Sequence, residues 1–107
     1  AAEERAKRTV ESLKIADEKE RNEISDLVLK VLKARDAVED YEREYRDKVR
    51  ELSRNTDLSE EAIEARLTEL REERKKRDKE LSNGRKELAE IVDFKQELIL
   101  IEQGILK

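Results

Sequence analysis

The 107-residue chain contains no cysteine, histidine, methionine, tryptophan or proline, one phenylalanine, two tyrosines and two glycines. Each absence excludes some chemistry. Without cysteine there is no disulfide frame, no thiolate nucleophile and no zinc finger, and cysteine usage says nothing of redox compartment. Without histidine the usual proton shuttle and the commonest transition-metal ligand are missing, and the Glu-x-x-His di-iron motif of helical bundles cannot form. Soft copper ligation needs methionine or cysteine. No apolar run approaches the roughly 18 residues of a membrane span, and the first residues lack the apolar stretch of a secretory signal. A mature chain has lost its signal, so the compartment stays open.

Charge is what the chain has in abundance. Asp, Glu, Lys and Arg make up 50% of it, apolar residues only 36%, and 25 basic residues face 29 acidic ones for a net charge of −4. Disordered chains of low apolar content carry a lopsided charge or many Pro and Gly. Balanced charge with Ala, Glu, Lys, Leu and Arg dominant is the composition of long helices and coiled coils. Mild acidity argues against a nucleic-acid partner, which selects a basic face.

Residues 3–54 run without Gly or Pro, and their apolar positions follow a 3–4 spacing: Ala6, Val10, Leu13, Ile24, Leu27, Val31, Ala34, Val38, Tyr41, Tyr45 and Leu52. With Val10 at position a, this is a coiled-coil seam interrupted by the charges Asp17, Glu20 and Lys48. Glu/Asp–Lys/Arg pairs four apart, such as Glu3/Lys7, Asp26/Lys30 and Glu44/Lys48, support a helix by roughly 0.2–0.5 kcal/mol each. Residues 55–59 form the clearest break. Asn55 can adopt the left-handed conformation that closes a helix, and Ser59, or alternatively Asp57 with Glu60 three residues on, suits an N-cap, with Glu60 and Glu61 in the first turn. Leu58 and Ile63 are placed as a hydrophobic staple.

A second segment, residues 60–106, repeats the spacing with Ile63, Leu67, Leu70, Leu81, Leu88, Ile91 and Leu98, interrupted by Arg74, Arg77, Gly84 and Lys95. A short loop between long helices makes them antiparallel neighbours. Folding about Asp57 pairs residues whose numbers sum to roughly 114. Lys95 then falls beside Glu20 and Asp17, and Arg74 and Arg77 near Asp36, Asp40 and Tyr41; these are either complementary seam charges or solvated seam-edge charges. The expected fold is all-α: a single domain over residues 1–107, an antiparallel two-helix coiled-coil hairpin (helix 3–54, turn 55–59, helix 60–106). Its weak points for a kink are Gly84 and Asp93, and it is expected to dimerise into a helical bundle.

Two stretches, residues 24–32 and 98–106, are more apolar than a two-helix seam requires, and a helix apolar on more than one face needs another partner. Leu29, Leu32, Ile99, Leu100 and Leu106 are therefore the candidate interface. Either a homodimer covers them, which is the favoured expectation, or a kink or extra helix of the same chain does.

Residues 45–52, the turn at 55–59, the run Ile63…Leu67…Leu70 and then Leu88-Ala89-Glu90-Ile91-Val92-Asp93-Phe94-Lys95-Gln96 resemble the Spy/CpxP-like group of bacterial periplasmic helical proteins. That group's signature is Leu-Thr-x-x-Gln after an arginine-rich helix. Val92-Asp93-Phe94-Lys95-Gln96 stands in that place, with Asp93 able to cap a final short helix as Thr would. Ile24-Ser25 resembles a degenerate earlier copy whose Gln position holds Val28. The resemblance spans residues 24–106 and implies a periplasmic, bent helical hairpin that dimerises into a cradle and binds client proteins or a sensor domain. The family's metal binding through His, Met or Cys does not carry over.

No catalytic constellation stands out. Acid–base work needs carboxylates in a partly buried cleft, whereas Glu18-Lys19-Glu20, Glu60-Glu61 and Glu72-Glu73 sit at the spacing of solvated helix faces. The Gly-containing loop of an EF-hand is missing. The run Arg71-Glu72-Glu73-Arg74-Lys75-Lys76-Arg77 nearly halves its own field and interleaves no aromatic for base stacking. The expectation is a non-enzymatic protein–protein interaction module without cofactor or metal, chaperone-like or sensor-binding, partnered by itself and by another protein. The alternatives are a coiled-coil arm or stalk of a larger machine, such as a chromosome-structuring ATPase or secretion apparatus, or an enzyme whose site a partner chain completes.

Overall fold

Four helices make up the regular structure of the computed structural model, which describes residues 1–107: α1 (Ala2–Leu13), α2 (Glu18–Arg54), α3 (Glu60–Ile91) and α4 (Phe94–Glu102). Three of them start on a side chain that satisfies an otherwise orphaned amide, the role for which Asp and Ser are preferred at N-caps. The Asp17 carboxylate accepts from the Glu20 N–H at 2.9 Å. The Ser59 hydroxyl accepts from the Ala62 N–H at 3.2 Å. Asp93 accepts from the Gln96 N–H at 2.8 Å while the Gln96 side chain accepts from the Asp93 N–H at 2.9 Å, a reciprocal capping box.

α2 and α3, of 37 and 32 residues, lie side by side and run in opposite directions from the loop at Asn55–Ser59. Lys30 meets Glu87, Arg77 reaches the Ala37 carbonyl, and Arg74 meets Glu42. All three pairs fall within a helical turn of the register expected from equal rise on both arms.

The expected helix over residues 3–54 is not continuous. Lys14 ends α1 in the left-handed conformation (φ 51°, ψ 49°), and Asp17 then starts α2. The Arg21 guanidinium closes this corner by donating to the Ile15 carbonyl at 2.9 Å, and the Ile15 side chain is buried. Asp17 and Glu20, which interrupt the expected seam, are thus the cap and the first turn of a new helix. α1 folds back along α2, where Arg5 pairs with Asp36 and Lys33 with Glu3. The segment 60–106 is likewise divided, at Val92–Asp93. Gly84 produces no break, and α3 runs through it.

The result is a club 62 Å long and 23 by 21 Å across. Its head is built from α1, α4 and the adjoining halves of α2 and α3. Its core joins Ala6, Val10, Leu13, Ile15, Ile24, Val28, Val31, Leu32, Leu81, Leu88, Leu100, Ile105 and Leu106. Gly84 lies inside the head because α2 approaches closely there: a β-carbon at Gly84 would touch Val31 Cγ2 at 3.4 Å. Beyond the head, α2 and α3 continue as a two-helix arm in which only Tyr41 and Leu70 are buried. Burying one large aliphatic side chain is worth about 1.5–3 kcal/mol, an exposed ion pair about 0–1 kcal/mol. The head therefore holds the fold together, and the arm rests on it.

Candidate functional site

The five residues expected to form an interface do not make one exposed patch. Leu32, Leu100 and Leu106 are almost completely buried in the head. Leu29 and Ile99 are half-buried and pack against the same core. The surplus of apolar residues on α2 arises because α1 covers it; the extra helix comes from the same chain. The core also reaches the end of the chain. Gly104 turns in the left-handed region (φ 75°), Ile105 and Leu106 plug the head, and two arginines hold their backbone. Arg35 donates to the Gly104 carbonyl at 3.1 Å and Arg85 to the Ile105 carbonyl at 3.0 Å. Between α1 and the end of α4, the buried Thr9 hydroxyl donates to the Gln103 side-chain oxygen at 2.9 Å, and the Gln103 amide donates to the Ser12 hydroxyl at 3.1 Å.

With Leu100 turned inward, α4 presents its opposite face to solvent. Phe94 is 84% exposed, Leu98 66% and Ile101 41%, and Ile91, just before the Asp93 cap, is 38% exposed. Positions 94, 98 and 101 follow i, i+4, i+7 spacing, so they form a single stripe along α4. Lys95 and Glu102, both exposed, flank one edge of it. Neither is in an ion pair within the chain. Lys95 therefore does not meet Asp17 or Glu20: Asp17 is engaged as a cap, and the turn at Asp93 carries Lys95 onto the outward face. This stripe is the apolar surface that the chain leaves open. Its signal in the sequence was the 3–4–3 spacing of Ile91, Phe94, Leu98 and Ile101. Ile91 and Leu98 fitted equally well into a continuous second arm, because a helix apolar nearly all round does not say which face turns inward.

A second surface lies on the arm. The charges that interrupt the seam are stacked on its aromatics there. The Arg77 guanidinium lies 4.9 Å over the Tyr41 ring and that of Arg74 4.7 Å over Tyr45. The Tyr41 hydroxyl donates to the Leu70 carbonyl at 3.0 Å. Arg74 grips Glu42 with two bonds of 2.7 and 3.0 Å, the bidentate geometry a guanidinium favours. Arg77 donates to Glu73 at 2.9 Å. The bond from Arg77 holds the Glu73 carboxyl below the ordinary carboxylate range. Burial, followed by the charges of Glu44 and Glu73, pushes the Tyr41 hydroxyl up.

Beside this stack an open groove of about 630 Å³ runs toward the loop, lined among others by Tyr41, Glu44, Lys48, Arg66, Glu69 and Arg77. Acids and bases alternate along it, so it offers no field of one sign to a charged ligand. Within its wall Lys48 is paired with Glu44 and Arg77 with Glu73. No group of three or more acidic side chains converges as metal ligands would, and no helix is long and apolar enough to cross a membrane. No family model matches the chain, and no curated protein or solved structure matches it.

Proposed function

We propose that the protein is a non-catalytic interaction module that holds another protein on the outward face of α4. The observation that carries this reading is the exposure of Phe94, Leu98 and Ile101 in one stripe on a chain that is half charged. A contiguous exposed apolar patch rimmed by polar residues is the mark of an interaction surface. Aromatic side chains are enriched at such contacts because they bury much area at little entropic cost. The stripe starts within Val92–Gln96, the residues on which the resemblance to the Spy/CpxP-like group rests. Client binding or sensor binding by one face is what that resemblance implies, so the two lines support the same reading.

The test is suppression of aggregation of an unfolded model protein at stoichiometric ratio without ATP. The wild type is expected to suppress it, and a Phe94→Asp/Leu98→Asp variant of unchanged helicity is expected to fail. Equal suppression by both, or by neither, would remove this reading. A second reading, an arm of a larger machine, is favoured by the two-helix projection itself, which extends well past the head that stabilises it. In that case the variant's partner would be recognised along α2 and α3, and changes on α4 would leave binding intact.

A further inference from the structure

We infer that the α4 stripe is self-complementary and that its occupant is a second copy of this chain, packed antiparallel about a two-fold axis at Leu98; this rests on the stripe being an interaction surface, as proposed above. The argument is one of position and charge. In a two-fold contact each residue meets its counterpart at the mirrored distance from the axis. With Leu98 on the axis, Phe94 of one chain lies within one residue's rise of Ile101 of the other, and Lys95 of one within the same offset of Glu102 of the other.

Lys95 and Glu102 are seven residues apart, two helical turns, and so share one edge of the stripe. Antiparallel helices bring like edges together. The positive end of each edge then meets the negative end of its copy, and the pair forms twice. Within one chain neither charge is in an ion pair, so both remain available to a second copy. Glu97, on the other edge, meets its own counterpart beside the axis, a single like-charge contact set against two Lys95–Glu102 attractions and offset by the bases near it. It is half-buried and lines a groove with Arg85, Lys86 and Lys107 on the chain's own body.

The face of one nine-residue helix offers less than the ~800 Å² per partner of a standard stable interface. The dimer is therefore weak and reversible. A contact this weak releases the stripe when a client competes for it, so self-association would store the binding surface in a covered form.

Sedimentation equilibrium between about 5 μM and 1 mM tests this, with circular dichroism to establish that each variant is folded. The wild type is expected to shift from monomer to dimer over that range and to stop at dimer. Lys95→Glu and Glu102→Lys each turn two attractions into two repulsions and are expected to weaken the dimer about five- to tenfold. The double variant Lys95→Glu/Glu102→Lys is expected to recover wild-type affinity, because the pairs are re-formed with reversed sign. A monomer throughout, an assembly indifferent to the single changes, or a double variant no better than the singles would overturn the inference. Monomeric wild type that still suppresses aggregation through Phe94 and Leu98 would overturn the second copy alone. A dimer of the stated charge dependence without client suppression would overturn the client-holding reading and leave this one standing.

Discussion

Tyr41 is the residue at which the arm is tied together: its ring carries Arg77, and its hydroxyl binds a backbone carbonyl on the opposite helix. Its proton is held more tightly in the folded chain than in the unfolded one, chiefly through burial. Its stabilising contribution is therefore full below the ordinary tyrosine range near ~10 and is lost as pH climbs through the raised folded value. In a Tyr45→Phe variant, the single tyrosinate absorbance step should come above that range and move down on denaturation. A midpoint unchanged by denaturation would contradict the burial. Glu73 acts in the opposite direction. Its contribution with Arg77 is present above the ordinary carboxylate range and fades as pH falls through its lowered value. The two glycines separate just as clearly. At Gly84 an added β-carbon reaches ordinary contact with Val31, so Gly84→Ala should be neutral or stabilise by up to ~1 kcal/mol through helix propensity. Gly104 sits at positive φ, and Gly104→Ala should cost about 1–2 kcal/mol. Urea unfolding of both variants checks the pair; a Gly104→Ala chain as stable as wild type would contradict the left-handed turn.

At the scale of helices, the caps decide which parts of the fold can be read from the sequence. Ser59 announced α3 because a capping residue, two acids and a staple coincide within residues 58–63, and the register of α2 on α3 followed from the loop. Asp17 carried half of such a signal, an acid capping a turn that contains Glu20, yet it was masked. The chain bends at Lys14, a residue with no preference for the left-handed conformation, so nothing marked the end of α1. The apolar phase resumes beyond the corner, with Val10 and Ile24 fourteen residues apart, so the charges at Asp17 and Glu20 read as interruptions of one seam rather than as its end. The sidedness of α4 was hidden for a related reason: Asp93 restarts the helix and resets which of Leu98, Leu100 and Ile101 faces the head. Those choices belong to tertiary packing. Removing the cap by Asp17→Ala should cost about 1 kcal/mol, within 0.5–2, since α1 is positioned on α2 only by that corner and the contacts beyond it. Hydrogen exchange should show the head halves of α2 and α3 protected for longest and the arm opening first, because its apolar burial is slight. Uniform protection along α3 would contradict the division into head and arm.

Taken whole, the molecule separates its stabilising core from the surface proposed to bind. Leu32, Leu88 and Leu100 lie in a head whose core is sealed by α1 and by the arginine-held tail, so the fold does not need the outer face of α4 to be covered. That independence leaves Phe94, Leu98 and Ile101 exposed, and polar substitutions there should abolish the proposed binding with little change in unfolding midpoint. The converse holds for Leu29→Lys/Ile99→Lys, which places charges against the core and should destabilise the fold rather than disperse an assembly. The most direct measurement of the central claim is amide chemical-shift mapping as an unfolded client is titrated into the folded protein. Shifts concentrated on Ile91, Phe94, Lys95, Leu98, Ile101 and Glu102, with the arm nearly silent, are the expected result. Shifts that cluster around Tyr41, Lys48 and Arg66 while α4 stays unchanged would contradict it.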